Sequence, residues 1–385
     1  MEEKKKEIKY FDYGLLTVLI FLICFGLVVL YSTSYYSAQI KFDDGKFYLM
    51  KQIKAYVLSF IIMFMVSKFD YRRYYKNAEI VYWMSLALLF FVLIPGVGID
   101  AYGAKRWIKI PFLGQMQPSE LVKISIILFI PVKICECGNK IKNIKDAAKV
   151  LAYAALASVL IWKVTDNLST ALIVGAIAFF MIILSMPDVK WKKRLLIGIV
   201  ASIGIIYIIK AVMVNHMTAP VFHDDFRARR ILVWLNPKMY ISQGGYQVMQ
   251  GLYAIGSGGF WGKGLGNSVQ KLMIPEAQND MILPIIGEEL GIFGIIVVFV
   301  LFGFLLYRLL FIAQNAPDKY SALIVTGIFL HIALQVILNV CVVLNVIPTT
   351  GITLPFISYG GTASVFLMVE MGIALGISTK IKIQK

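Results

Sequence analysis

Two kinds of side chain meet in the one long polar stretch of this chain, about residues 215–280. One is a carboxylate, Asp280, closing the string PEAQND (Pro275 to Asp280), after which DMILPIIGEELG turns apolar at once. The other is a guanidinium cluster, Arg227, Arg229 and Arg230 in FRARRIL. A carboxylate at the edge of an apolar span is partly desolvated, which raises its pKa, while nearby cations lower it. Held in that balance it can act as a base toward a hydroxyl, such as that of a sugar. It can equally cap the following helix, since Asp is favoured just before a first turn, and the two roles are compatible. Guanidinium groups bind phosphate oxygens in pairs and suit a pyrophosphate. The same arginines would also suit an interfacial helix facing lipid headgroups. Together these residues fit chemistry on an anionic, lipid-linked substrate at a membrane surface.

Other polar residues stand where polarity is costly. Glu288 and Glu289 lie two turns past Asp280 within an apolar run, and Glu370 lies within the last one. Ionisable groups at membrane depth usually pair or line a cavity. Glu120 and Lys123 stand at i, i+3 and can pair directly. Arg106 and Trp107, in GAKRWIKI, put a cation beside an amphipathic ring that would also serve as an ordinary aromatic-belt residue. Glycines crowd GSGGFWGKGLGNS (Gly256 to Ser268). PTTGITLPFISYGGTAS (Pro348 to Ser364) reads either as a bent helix end lining a site or as a simple hairpin.

The elements that position these residues are membrane spans. Of the 385 residues 59% are hydrophobic, against about 45–50% in soluble domains. Apolar runs long enough to cross a bilayer recur throughout. The fold class expected is all-α: a polytopic integral membrane protein of about ten transmembrane helices. The spans fall near 14–32, 50–67, 78–97, 118–135, 147–164, 168–186, 193–214, 281–308, 320–344 and 355–379. The chain reads as one membrane domain, 1–385, with 215–280 as its large extracytoplasmic loop. A β-barrel would show short alternating segments instead. The first apolar run is too long for a signal-peptide core and reads as a retained span.

The net charge of +16 sits in short loops, where it signals orientation and not nucleic-acid binding. Lys4, Lys5, Lys6 and Lys9 place the N-terminus in the cytosol. Alternation then places Arg72, Arg73 and Lys76 inside, with Lys140, Lys142, Lys145, the 190–194 cluster, Lys380 and Lys382, so both termini are cytosolic. It places the 215–280 loop outside, together with Lys105, Arg106 and Lys109, whose charge runs against the rule and hints at an anionic ligand. Cys24, Cys135, Cys137 and Cys341 show neither a disulfide framework nor metal-site spacing. No Walker motif is present, so any reaction is driven by its own substrate or by a gradient.

Four strings, in this order, resemble the SEDS family (shape, elongation, division and sporulation proteins) over nearly the whole chain. They are GAKRWIKIPFLGQMQPSELVK, RRILVWLNPKMYISQGGYQVMQGLYAIGSGGFWGKGLGNS, IPEAQNDMILPIIGEELG and IPTTGITLPFISYGGTAS. Their wording is similar to the division and sporulation branch more than to the elongation branch. The chain departs from the family pattern at Tyr102, often Asn. It departs again at TDNLSTA (Thr165 to Ala171), where the family's turn carries a proline, and at D-M-I-L in place of D-F-I-F.

The resemblance implies a peptidoglycan glycosyltransferase of the bacterial cytoplasmic membrane that polymerises lipid II at the outer leaflet. Asp280 then stands at the essential carboxylate, as a base or as a ligand placing a divalent cation (Mg2+ or Mn2+). No organic cofactor is expected. Candidate substrate-binding residues are Arg106, Trp107, Glu120, Lys123, Arg227, Arg230, Gln250, Glu288 and Ser358. Implied partners are lipid II, undecaprenyl-linked glycan and a class B penicillin-binding protein transpeptidase. The competing functions are a flippase for lipid-linked precursors, using the intramembrane carboxylates, and a non-catalytic scaffold for the transpeptidase.

Overall fold

A computed structural model describes residues 10–101, 104–110, 114–186, 197, 204–214 and 226–382. The helices are α1 Tyr13–Phe42, α2 Phe47–Ser67, α3 Tyr71–Leu89, α4 Pro118–Cys137, α5 Ile144–Thr165 and α6 Leu168–Ser185. Then follow α7 Gly204–Val214, α8 Phe226–Leu235, α9 Gly245–Ser257, α10 Ile282–Gln314, α11 Lys319–Val343 and α12 Gly361–Ser378. Among the described residues, 8 helices are long and apolar enough to cross a membrane. α4 coincides with the expected fourth span but carries Glu120, Lys123, Lys133 and Glu136, and α7 covers the end of the seventh. The protein is a polytopic all-α membrane protein. The start of the seventh span, residues 215–225 of the long loop, the four N-terminal lysines and the basic cluster at 190–194 lie outside the described residues.

Helix ends follow local chemistry. Asp12 accepts the Leu15 N–H at 2.8 Å and starts α1, and Asn167 accepts the Thr170 N–H at 3.1 Å and starts α6. Asp318 and Ser321 form a reciprocal capping box at α11. With 30 residues, α1 is roughly 45 Å long, longer than the apolar core of a bilayer, so one end stands clear of it. The backbone N–H of Asp12 donates to Ser378 Oγ at 3.3 Å, which puts both ends of the chain on one face. Arg308 clamps the same corner, donating to Asp12 at 2.8 and 3.0 Å. Lipid tails offer no hydrophobic drive between helices, so close packing depends on small residues. On α12, Gly372 and Gly376 serve this end: a Cβ on either would stand 2.6 Å from the Met63 carbonyl or 2.9 Å from that of Ser67 on α2.

Two features depart from the sequence reading. The segment after α3 is not a plain loop but a three-stranded antiparallel sheet in the order β1 (Gly98–Ala101), β2 (Ala104–Ile110), β3 (Gly114–Met116). α10 is also broken at Gly291, whose φ of 67° is not helical. Backbone groups freed at the break are taken up by the glycine-rich loop. Lys263 and Gly264 N–H donate to the Glu288 and Glu289 carbonyls, each at 2.9 Å, while Ile292 and Phe293 N–H donate to the Gly259 and Phe260 carbonyls at 3.0 and 3.1 Å. Irregular backbone at membrane depth is tolerated where protein satisfies it in this way.

Candidate active site

On the face opposite the chain ends, four connections converge: the sheet, the α5–α6 turn, the α8–α9 region with the glycine-rich loop, and the α11–α12 segment. Asp280 sits in the turn just before α10, partly buried. It does not cap the helix. The residue at the cap is Met281, which makes no side-chain capping bond, so the carboxylate remains available to a ligand. Its backbone is fixed instead: Asn339 on α11 donates to the Asp280 carbonyl at 2.9 Å and to the Ile352 carbonyl at 2.8 Å. The Tyr359 N–H donates to the Gln278 carbonyl at 2.9 Å, tying the two most recognisable strings side by side.

Burial pushes the Asp280 carboxyl above the usual range, and nearby Glu276 adds to the rise; its own backbone N–H and the Arg230 charge offset part of it. This is the balance expected of a base that must be ionised yet willing to hold a proton. Burial lowers the pKa of Arg230, helped by the Arg106 charge and opposed by Asp280 and Asp166. Arg106 is lowered for the same first reason, with Arg227 adding to the fall and Asp166 opposing it. Three guanidinium groups thus share one electrostatic neighbourhood with the Asp166, Asp280 and Glu276 carboxylates.

Asp166, which the sequence reading passed over, organises this cluster. It ends α5 in the left-handed conformation, φ 52°, within the string that departs from the family pattern. Its side chain pairs with Arg227. Its carbonyl accepts from Arg106 Nη2 at 3.0 Å, and the Thr165 carbonyl accepts from Arg106 Nε at 3.3 Å. Arg227 also lies 5.6 Å from the centre of the Trp162 ring. Arg227 on α8 therefore engages protein groups, and the Arg230 guanidinium lies over the Phe226 ring, 4.3 Å from its centre.

Other expected site residues are placed differently. Glu120 and Lys123 pair with each other at 2.9 Å and are both buried. Trp107 follows Arg106 on β2 and pairs with Ile99, at the point where the β1–β2 register shifts and leaves Arg106 unpaired. Gln250 is half-buried on α9. The Ser358 hydroxyl is buried and accepts the Leu354 N–H at 2.9 Å, which closes a turn. Glu288 is fully buried. Its carboxylate takes Lys263 at 2.6 Å, Ser268 Oγ at 2.5 Å and the Gln270 N–H at 3.1 Å. Glu289 takes Ser32 Oγ at 2.6 Å and Lys271 at 3.1 Å. These glutamates hold the glycine-rich loop onto α10 and α1. Glu370 pairs with His331 at 2.9 Å inside the bundle. Among the described residues, no hydrogen bond or ion pair joins Trp107, Glu120, Lys123, Gln250, Glu288 or Ser358 to the Asp280–Arg230 group.

Comparison with known proteins agrees with this architecture. The model of the cell cycle protein family that groups FtsW, RodA and SpoVE matches residues 13–383. The chain is 36% identical over 380 residues to a probable peptidoglycan glycosyltransferase FtsW of Geobacter sulfurreducens, covering 98% of this chain and 97% of that one. It is 33% identical over 369 residues to stage V sporulation protein E of Bacillus subtilis, covering 95% and 96%. Among solved structures, a chain of a peptidoglycan synthase complex that coordinates polymerisation and crosslinking superposes with a TM-score of 0.73 at 26% identity, covering 96% of this chain and 97% of that one. Thermus thermophilus RodA, at 23% identity, shares the fold with a TM-score of 0.66, covering 96% of each chain. From the first transmembrane helix to the last, the chain belongs to the FtsW, RodA and SpoVE family.

Proposed function

We propose that this protein is a peptidoglycan glycosyltransferase that polymerises lipid II at the outer face of the bacterial cytoplasmic membrane, in cell division or sporulation. The observation that carries the reading is the Asp280 carboxylate, uncapped and partly buried beside Arg230 on the face opposite the chain ends. Arg72, Arg73, Lys76, Lys140, Lys145 and Lys380 belong to the face of the chain ends, which the positive-inside rule makes cytosolic. Asp280 then faces outward.

The acceptor's sugar 4-hydroxyl oxygen attacks the anomeric carbon of the donor, and the bond from that carbon to the undecaprenyl pyrophosphate oxygen breaks. Asp280 takes the hydroxyl proton as the new glycosidic bond forms and later gives it to water. Arg230 and Arg106, with Arg227 behind them, meet the charge that grows on the leaving pyrophosphate, where preorganised cations act most strongly. Asp166 and the α5 carbonyls hold two of these guanidinium groups in place before substrate arrives.

Asp280 is the one carboxylate of the site suited to a divalent cation. Glu276 is occupied by Lys41, Gln278 and Asn279 at 2.8, 2.9 and 3.2 Å. The described residues hold no group of three or more acidic, His or Cys side chains fit for a metal. Mg2+ is commonly held by one or two carboxylates together with substrate phosphates. Asp280 with the pyrophosphate would hold such an ion here, and its chemistry would be further charge neutralisation. By analogy with the synthase complex, the partner is a class B penicillin-binding protein transpeptidase.

The reading is tested with Asp280→Asn, scored in parallel for glycan polymerisation, precursor translocation across vesicles and transpeptidase binding. Polymerisation alone should disappear. Loss of translocation with polymerisation intact would replace this reading with that of a flippase.

A further inference from the structure

On the face of the chain ends, far from Asp280, the starts of α3 and α11 and the end of α4 border an open depression of about 450 Å³, lined by Tyr71, Cys135, Asp318 and Tyr320 with the exposed Arg72, Tyr75, Lys76 and Lys319 at its rim. That volume lies within the range of small-ligand sites. Three of its lining residues are cations: Arg72, Lys76 and Lys319. Among the described residues none of the three has a carboxylate within ion-pair distance.

The acidic groups nearby are Asp70, which accepts the Arg72 N–H at 3.0 Å and acts on the Arg72 charge, together with Asp318, Glu79 and Glu136. Asp318 accepts the Tyr71 hydroxyl at 2.5 Å and the Ser321 N–H at 2.8 Å. Glu79 and Glu136 share Lys133 at 3.3 and 3.1 Å. The walls are aromatic: Tyr75 and Tyr320 meet edge to face with ring centres 5.0 Å apart. Amphipathic rings of this kind belong at the headgroup level of a bilayer.

We propose that this depression is a binding site for the headgroup of an anionic phospholipid of the inner leaflet. Basic pockets between transmembrane helices on the cytoplasmic side take up such headgroups. The phosphodiester sits among Arg72, Lys76 and Lys319, the tyrosines flank the glycerol, and the acyl chains leave along the apolar outer surface of α3. An occupant here would add to the Tyr71–Asp318, Lys133–Glu79 and Tyr320–Leu128 bonds that already join these three helices. Placement in the inner leaflet rests on the sidedness proposed above. The binding itself is measured in detergent, where sidedness plays no part, so the two can fail separately.

The test is native mass spectrometry of the full chain titrated with phosphatidylglycerol, phosphatidylcholine or soluble glycerol 3-phosphate. The wild type should retain one phosphatidylglycerol selectively over phosphatidylcholine. Arg72→Gln with Lys319→Gln should abolish the preference for phosphatidylglycerol over phosphatidylcholine. Lys140→Gln with Lys145→Gln removes the same charge from the same face outside the depression and should leave retention unchanged, while Arg72→Lys should keep most of it. Equal losses from both double variants would reduce the effect to general surface charge and overturn the site. Equal retention of phosphatidylcholine would also overturn it. Glycerol 3-phosphate binding as tightly as the lipid would identify a soluble phosphate as the ligand and overturn the lipid assignment.

Discussion

Asn339 holds Asp280 by its backbone: one side-chain amide nitrogen donates to the Asp280 carbonyl at 2.9 Å and to the Ile352 carbonyl at 2.8 Å. The bond to Ile352 is buried and the bond to Asp280 partly so, and together they fix the turn bearing the proposed base against α11 and the segment that leads into α12. Asn339→Leu leaves two carbonyls without a donor, at a cost of about 1–3 kcal/mol each. The expected outcome is a lower melting temperature together with a reduced kcat for polymerisation. The KM for lipid II should change little, since no substrate contact is removed.

The Asp280 carboxyl is raised chiefly by burial and held down in part by Arg230. Polymerisation should therefore rise with pH through a limb lying above the usual carboxylate range. Removing the offsetting charge with Arg230→Gln should move that limb to higher pH. A pH–rate profile of kcat in both proteins checks the direction, and a limb that stays put would remove Arg230 from the electrostatics of the base.

Linkage gives this carboxyl a sign in stability as well. A carboxyl whose folded pKa lies above its unfolded value favours folding most at low pH, and that contribution is lost as pH rises through the folded pKa. At neutral pH Asp280 is thus a burden on the fold. Asp280→Asn should raise the melting temperature at pH 7 while abolishing polymerisation, the opposition expected of a site kept for function. Thermal unfolding in detergent with parallel activity decides it. A variant that is both inactive and less stable would point to a structural role.

Arg230→Ala should lower kcat/KM for lipid II by about 10²-fold, comparable to removal of one preorganised donor to a developing anion. Asp166→Asn, which keeps the turn but loses the charge facing Arg227, should show a smaller loss. Steady-state kinetics on labelled lipid II checks both.

The break in α10 carries a structural prediction. Gly291 combines φ 67° with close backbone approach by Phe260 and Gly262. A side chain there is strained by its conformation and must also displace the glycine-rich loop. Gly291→Ala should cost at least about 3 kcal/mol, read as a loss of melting temperature or of folded yield. Glu288→Gln should weaken the same clasp without the steric clash.

Much of this was legible in the sequence because the bilayer imposes length and polarity on each span, so the run 320–344 is found as α11 within a residue or so. Asp280 and the Arg227–Arg230 cluster were legible because charge next to apolar sequence is costly and therefore informative. The sheet holding Arg106 was not: β1 and β3 have only 4 and 3 residues, and β2, AKRWIKI, does not alternate strictly between polar and apolar. Asp166 was missed because its role depends on the α5–α6 turn lying beside α8, a contact between residues about sixty apart with no local signature. Glu288 read equally well as a tie or as a cavity lining, and only the folded loop, which delivers Lys263 and Ser268 to it, separates the two.

The central claim is that Asp280 is the base of a lipid II polymerase. The most direct test is polymerisation of labelled lipid II by purified protein, with and without the cognate transpeptidase, comparing the wild type with Asp280→Ala and Asp280→Asn of verified fold. Glycan chains from the wild type and none from either variant are the expected result. Chains of normal length and rate from either variant would contradict it.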